Sequence, residues 1–478
     1  MSRQTQRKGI GVDFGTTNSI AAWFDGVKVH LVGLENTGPV MPTATYLDQA
    51  LKTCTGEEAV NRYIEDNRDR MVELTPEIIG QASLLVSEGN PDDPFSQPET
   101  ASTAIYGLPM NDRGLKGRLF RGIKRLLGNA DIKRLLVFDH PFRLVALMTP
   151  VMLRIRKSLE AEAGEVSGGV HLGYPVNFEG RDPFHNNLAM SRLAEAYQHA
   201  GFSNMSFYPE PLAATVSFFH DQPHTASGNV LTVDFGGGTL DLSVVHYQGV
   251  SFEVLATAGL PIGGDHIDQV IFRELLFPLL GKGEVWNRVK DGQEISSKFP
   301  FEEFEDRLIH WPVTYTLNQS HYRAKVLDCI RHGGEIAEKF QRLDDLISHN
   351  YSYLVFQAIK DAKAALSSAE ETILDIPELD ISVTFTRDML ETMMSDMLLQ
   401  FREIIESVIA DAGLGRDSID LVIRTGGSSL IHAVKKTLLD MFPGRVTEHD
   451  PFSSVAAGLA IASYYNYQHR SESQSPLE

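Results

Sequence analysis

Two stretches of the chain repeat one pattern of apolar and polar positions. Residues 9–20 read GIGVDFGTTNSI and residues 230–244 read VLTVDFGGGTLDLSV. Each is an apolar run, a turn rich in Gly and Thr, and a second apolar run, which predicts a strand–turn–strand unit with an Asp at the end of its first strand. Elsewhere the period changes. Residues 56–72, 141–163, 183–201 and 386–412 space their apolar positions as helices do, with Gly201 and Gly413 as stops. Residues 334–368 predict one long charged amphipathic helix or a helix pair. GVHLGYPVNF (169–178) predicts a strand running into a loop. LVIRTGG (421–427) predicts a buried parallel strand that turns into a helix at Ser428–Ser429, and SSVAAGLAIASYY (453–465) a closing helix. Strands mixed with helices imply α/β layers. A strand-to-helix turn is where such layers place ligands.

The turns suggest chemistry. Glycine lets the backbone approach a ligand closely, and successive turn N–H groups form an anion-binding concavity. Asp13 beside Gly15, Thr16 and Thr17, and Asp234 beside Gly236, Gly237, Gly238 and Thr239, would sit where the hydrated magnesium of a polyphosphate sits. Asn18 and Ser19 continue the first motif, and Asp241 follows the second. A carboxylate near a terminal phosphate needs a cation between them, because bare repulsion would defeat binding. Two such turns facing each other would grip a nucleoside triphosphate from both sides.

At 478 residues the chain is long enough for several subdomains. Its 63 acidic and 43 basic residues leave a net charge of −20, which disfavours nucleic acid or an anionic membrane as the main partner. It also requires the phosphate site to be locally cationic or built from backbone N–H groups. Two cysteines, Cys54 and Cys329, read as free thiols of a reducing, cytoplasmic compartment. No stretch approaches the ~18 apolar residues of a membrane span. The basic N-terminus lacks the apolar region of a signal peptide, and residues 471–478 are expected to be a disordered tail. Walker-type, zincin and nucleophile-elbow motifs are absent from the sequence.

The paired turns resemble the two phosphate loops of the actin, chaperone and sugar-kinase ATPase superfamily. Further segments narrow the resemblance to the DnaK-type seventy-kilodalton heat-shock chaperones. FRGIKRLLG (120–128) resembles their catalytic-lysine segment, YPEPLAATVSFF (208–219) their first connecting helix, and LATAGLPIGGDHID (255–268) the stretch after the second loop. AKAALSS (362–368) and LVIRTGGSSLI (421–431) resemble the two halves of their adenosine pocket. The matches keep the family's order and span roughly residues 9–465. The chain is most similar to the truncated, YegD-like members that stop after the ATPase domain, so no peptide-binding domain is expected.

The resemblance implies a two-lobed actin-like α/β fold with duplicated ribonuclease-H-like domains and a nucleotide cleft between them. Lobe I would be residues 1–227 with 452–470, including a peripheral subdomain within 46–135. Lobe II would be 228–451, with its core in 228–264 and 386–451 and a peripheral subdomain at 265–385. ATP or ADP with magnesium is the implied cofactor, and slow ATP hydrolysis the implied reaction. Asp13, Lys124, Glu210, Asp234, Thr239 and Asp241 would carry it. Lys124 would stabilise charge on the transferring phosphoryl, Glu210 would position a water between Pro209 and Pro211, and Thr239 would meet the terminal phosphate. Asp13, Asp234 and Asp241 would hold magnesium through water. Gly15, Thr16, Thr17, Gly236, Gly237, Gly238, Gly264, Asp265, Lys363, Ser367, Gly426, Gly427 and Ser428 would contact the nucleotide. Read without the resemblance, Lys124 belongs to a basic amphipathic helix with Lys116, Arg118, Arg121 and Arg125.

The chain departs from the family in three places. Ala364 and Leu430 stand where the chaperones carry arginines flanking the adenine, so weaker or less selective base binding is expected. Residues 75–118, rich in Pro, Gly, Asp and Ser, read as an inserted loop and, with 282–325, as one of two candidate docking sites for a protein partner. Residues 282–325 hold Trp286, Trp311, Phe299, Phe301 and Phe304, which fit either local packing or a docking surface for a protein partner. Three functions remain open on the sequence: a chaperone relative whose lobe closure acts on a partner, a small-molecule kinase of the same superfamily, and a non-catalytic or polymerising nucleotide switch.

Overall fold

The computed structural model describes residues 7–72, 74–87, 99–112, 114–164, 169–176, 178, 183–222, 227–249, 251–290, 293–331 and 334–467. The disordered tail expected at 471–478 lies outside these residues. Contacts divide the chain into two compact units. One comprises Met1–Glu65, Gly117–Lys282 and Tyr353–Glu478, the other Asp66–Lys116 and Gly283–Ser352.

The first unit contains the same sheet twice. One sheet runs Met205–Pro209, Val170–Tyr174, Gly9–Phe14, Asn18–Phe24, Val29–Leu31, with Met41–Pro42 also paired to Asn18–Phe24. The other runs Val446–Glu448, Leu421–Thr425, Ser227–Phe235, Leu240–Gln248, Ser251–Leu260. In both, the first three strands are parallel and the last two antiparallel. The middle strand and the next one form the hairpin read from the sequence. The inner parallel strands, Gly9–Phe14, Val170–Tyr174, Ser227–Phe235 and Leu421–Thr425, are mostly buried and rich in apolar residues, as strands covered on both faces are. This duplicated, mixed α/β arrangement is the actin-like ATPase fold.

Helices cover the sheets. Ser454–Tyr465 is buried along most of its length and packs with Glu210–Asp221 over the first sheet. Leu144–Ala163 and Pro183–His199 cover the other face, with Met148, Met152, Ile155 and Leu193 fully or nearly inaccessible. The amphipathic stretch expected at 334–368 is a helix pair, Glu335–Ser348 and Ser352–Ala365.

Two expectations change. Lys124 is not in a helix with the other basic residues. Gly117–Arg121 is a strand paired to Ala44–Asp48, Gly122 turns the chain in the left-handed region at φ 65°, and Lys124 sits on a single 3-10 turn, Ile123–Leu126. The basic positions therefore alternate along a strand before they meet a turn. The insertion at 75–118 is not a structureless loop. Leu74–Ser87 and Glu99–Asp112 pair as an antiparallel hairpin, with register shifts around Pro76, where a proline is tolerated in a ladder.

In the second unit the aromatics of 282–325 are core. Phe299, Phe301 and Phe304 are at most 2% exposed and pack with Phe340 and Tyr322. Trp311 is buried, and Trp286 donates its indole N–H to Asp328 at 2.9 Å. The aromatic cluster thus packs the unit internally, and it does not supply a docking surface.

Candidate functional site

Both hairpin turns converge within the first unit. Asp234 is the penultimate residue of the strand Ser227–Phe235 and stands directly opposite Asp241 in the antiparallel register. Gly426, in the turn that follows Leu421–Thr425, has φ 79°, and a Cβ there would lie 2.5 Å from Asp234 Oδ1. Only glycine fits so close an approach in that conformation. The turns themselves touch: a Cβ on Gly237 would meet Thr17 Oγ1 at 2.9 Å, and one on Gly238 would meet the Thr16 Cβ at 3.1 Å. Thr17 Oγ1 donates to Asp265 Oδ2 at 3.1 Å, which ties the first turn to the start of the helix Gly264–Ile271.

A cavity of about 410 Å³ opens at these turns. Its walls include Asp13, Gly15, Thr16, Thr17, Lys124, Glu210, Asp234, Gly236, Gly237, Gly238 and Thr239, together with Gly264, Asp265, Lys363, Ser367, Gly426, Gly427 and Ser428. Ala364 and Leu430 line it as well. Asp241 does not reach the wall. It is 3% exposed, behind Asp234, and accepts from the Val176 N–H at 3.2 Å. Sequence reasoning missed Asp268, Lys360, Thr425 and Phe452, which also line the cavity. A helical-spacing signal existed for two of them. Asp268 follows Asp265 by three residues, and Lys360 precedes Lys363 by three.

Lys124 Nζ donates to Glu210 Oε1 at 2.7 Å, and both side chains are nearly inaccessible. Glu210 opens the helix Glu210–Asp221 directly after the extended Pro209, so the helix dipole favours its charge. Lys363 pairs with the fully buried Asp268 and also donates to the Gly264 carbonyl at 3.0 Å. Ser428 Oγ donates to the Gly236 carbonyl at 2.8 Å and so joins the strand-to-helix turn to the second hairpin. Asp265 additionally faces Arg125 at 3.9 Å and Lys360 at 3.8 Å.

The acidic groups exceed the cations available to them. Desolvation raises the Asp13 carboxyl to about 7, helped by Glu210 and opposed by Lys124. Desolvation raises Asp234 well above its usual range, with Asp241, Glu210 and Asp13 adding repulsion. Asp241 rises to about 7, first through desolvation and then through Glu210. Such a cluster favours arrival of a cation. Among the described residues no three Asp, Glu, His or Cys side chains come close enough to ligate a metal ion directly.

Both cysteines are free thiols, and among the described residues no helix is long and apolar enough to cross a membrane. The family model described as Hsp70 protein matches residues 183–285 and 335–465, which contain the second hairpin, its sheet and the closing helix. A heat shock 70 kDa protein of Ajellomyces capsulatus is 22% identical over 464 residues, covering 95% of this chain. The chain spans about half (52%) of that relative's length. The duplicated sheets, the facing turns and the match along nearly the whole sequence agree, and the chain belongs to the Hsp70 family, with that family's actin-like ATPase fold.

Proposed function

We propose that the cavity binds the magnesium complex of ATP or ADP and hydrolyses ATP slowly to ADP and phosphate. One observation carries the reading. Two glycine-threonine turns meet at a cavity whose wall holds a buried Lys124–Glu210 pair and an acidic cluster short of positive charge. In this reading the turn N–H groups take the phosphates, and Thr239 contacts the terminal one. Asp13 and Asp234, with Asp241 paired to Asp234 across the ladder, would hold magnesium through its water shell, and the ion would supply charge neutralisation for the phosphates. Lys124 steadies the negative charge that builds on the phosphoryl oxygens. Glu210, fixed by Lys124 and by the prolines on either side, orients the attacking water. The water oxygen bonds to the terminal phosphorus as the bond to the bridging oxygen breaks, and its proton passes to solvent. Without a strong base, catalysis rests on positioning and electrostatics, hence the slow rate.

Calorimetry tests the binding step. Magnesium-dependent binding of ATP and ADP is expected, and no binding at millimolar nucleotide would end the proposal. The proposed boundaries of the lobes, 1–227 with 452–470 and 228–451, put Asp13, Lys124 and Glu210 on one side and Asp234, Thr239 and Gly426–Ser428 on the other. Nucleotide then makes more contacts in a closed form, which is the differential affinity a population shift requires. Solution scattering should give a smaller radius with a non-hydrolysable ATP analogue than without nucleotide. Equal radii in every state would leave a static scaffold. Work on a protein partner, driven by this cycle, is the corresponding chaperone-type proposal. Within 282–325 its support is confined to exposed apolar residues such as Val285 and Val313.

A further inference from the structure

Phe452 is the most exposed aromatic among the described residues, at 59%, and it lines the cavity. Its position is built. Asp450 Oδ1 accepts from the Phe452 N–H at 3.1 Å and from the Ser453 N–H at 3.0 Å, and the Ser453 hydroxyl donates to the other carboxylate oxygen. The next residue begins the buried helix Ser454–Tyr465. The ring lies against Gly427, where a Cβ would meet Phe452 Cε1 at 3.2 Å. Gly427 opens the 3-10 turn Gly427–Leu430, so the ring, Leu430 and Ile431 share one wall of the cavity. Ala364 contributes a small apolar surface from the helix Ser352–Ala365.

A phenyl ring left open to solvent costs hydrophobic free energy unless a ligand covers it. A flat aromatic ligand covers it best, in an offset stack.

Building on the nucleotide reading, we propose that Phe452 is the plate on which the base of the bound nucleotide stacks, with Leu430, Ile431 and Ala364 completing an apolar slot. The slot reads the base by its face and area, so purine nucleotides bind alike whatever their edge groups, and pyrimidine nucleotides bind more weakly. Phe452 is thereby a specificity-determining residue that leaves the phosphates untouched.

Calorimetry with magnesium on the full chain tests this, using ADP, GDP, UDP and tripolyphosphate as probes. The parent is expected to bind ADP and GDP within about tenfold of each other and UDP more weakly, since base–aromatic stacking alone changes affinity by roughly five- to a hundredfold. Phe452→Ala should lose on the order of tenfold for ADP and nothing for tripolyphosphate, and Phe452→Trp should restore ADP binding. The exposed ring makes the variant's fold safe, and thermal melting checks it. Equal ADP affinity of parent and Phe452→Ala overturns the slot while leaving nucleotide binding standing. Loss of tripolyphosphate together with ADP also overturns it, because it makes Phe452 structural. A parent that binds neither probe removes the nucleotide reading itself.

Discussion

Replacing Lys124 with alanine is expected to lower ATP turnover by ~100- to 1000-fold, the scale on which one preorganised charge at a transition state acts. Much of the nucleotide affinity should remain, because the turn N–H groups still hold the phosphates. The structure adds a complication. Lys124 is the cation paired to Glu210 at 2.7 Å inside the acidic cluster, and it lowers the carboxyl values of Asp13, Asp234 and Asp241. Removing one partner of a buried pair costs about 3–5 kcal/mol when the other stays charged. A drop in turnover thus has two sources, lost chemistry and a loosened site. The double variant Lys124→Ala with Glu210→Gln separates them. It should regain thermal stability over Lys124→Ala and regain no turnover. Single-turnover kinetics beside melting curves make the comparison. A single variant that hydrolyses ATP at the parent rate would show that the phosphoryl charge is met by another cation, with Lys360, Lys363 and Arg125 the ones nearby.

How far these residues were readable from sequence follows from the range of the forces that place them. The two hairpins were legible because strand, turn and strand are adjacent, and the β period and the glycines are local signals. Their facing was not written in either segment. It depends on the Thr17–Asp265 bond, between residues 248 apart. Lys124 lies on the cavity wall, on a 3-10 turn where the sequence had suggested a helix. KGRLFRGIKRLLG offers basic residues at spacings that suit a helix, and the pairing of Gly117–Arg121 with Ala44–Asp48 decides for a strand. Tertiary pairing overrides local propensity in such cases. For the aromatics of 282–325, packing and surface both stayed open, because sequence cannot show that Phe340, some forty residues later, closes over Phe299. Phe452 stayed hidden for the converse reason. Asp-Pro-Phe reads as an ordinary turn, and only the assembled cavity shows a ring left open.

The acidic cluster gives the second large expected effect. Asp241 is held at about 7, above its ordinary 3.8, so the native state keeps a proton that the unfolded chain gives up. The stability from this group is complete below pH ~3.8 and is lost as pH rises to about 7. A difference of that size is worth roughly 4 kcal/mol. Asp241→Asn removes the charge and keeps an oxygen for the Val176 N–H. It also relieves Asp234, whose carboxyl Asp241 pushes up from directly across the ladder. At pH 8 without nucleotide, Asp241→Asn should therefore melt higher than the parent, by ~2 °C or more. At pH 5 the gap should narrow, and below pH ~3.8 the two should converge, because the native and unfolded parent then both hold the proton. The same variant should bind magnesium nucleotide more weakly, because one negative charge of the cluster, paired across the ladder with Asp234, is gone. Parent binding near pH 7 should also release protons, as arriving magnesium drives the carboxyls to ionise. Calorimetry in buffers of different ionisation enthalpy measures that release. A variant less stable than the parent at pH 8, or binding that takes up protons, would mean that the cluster is already neutralised by groups outside it. The buried carboxylates would then be a structural feature of the sheet, and the phosphate site would rest on the turns and Lys124 alone.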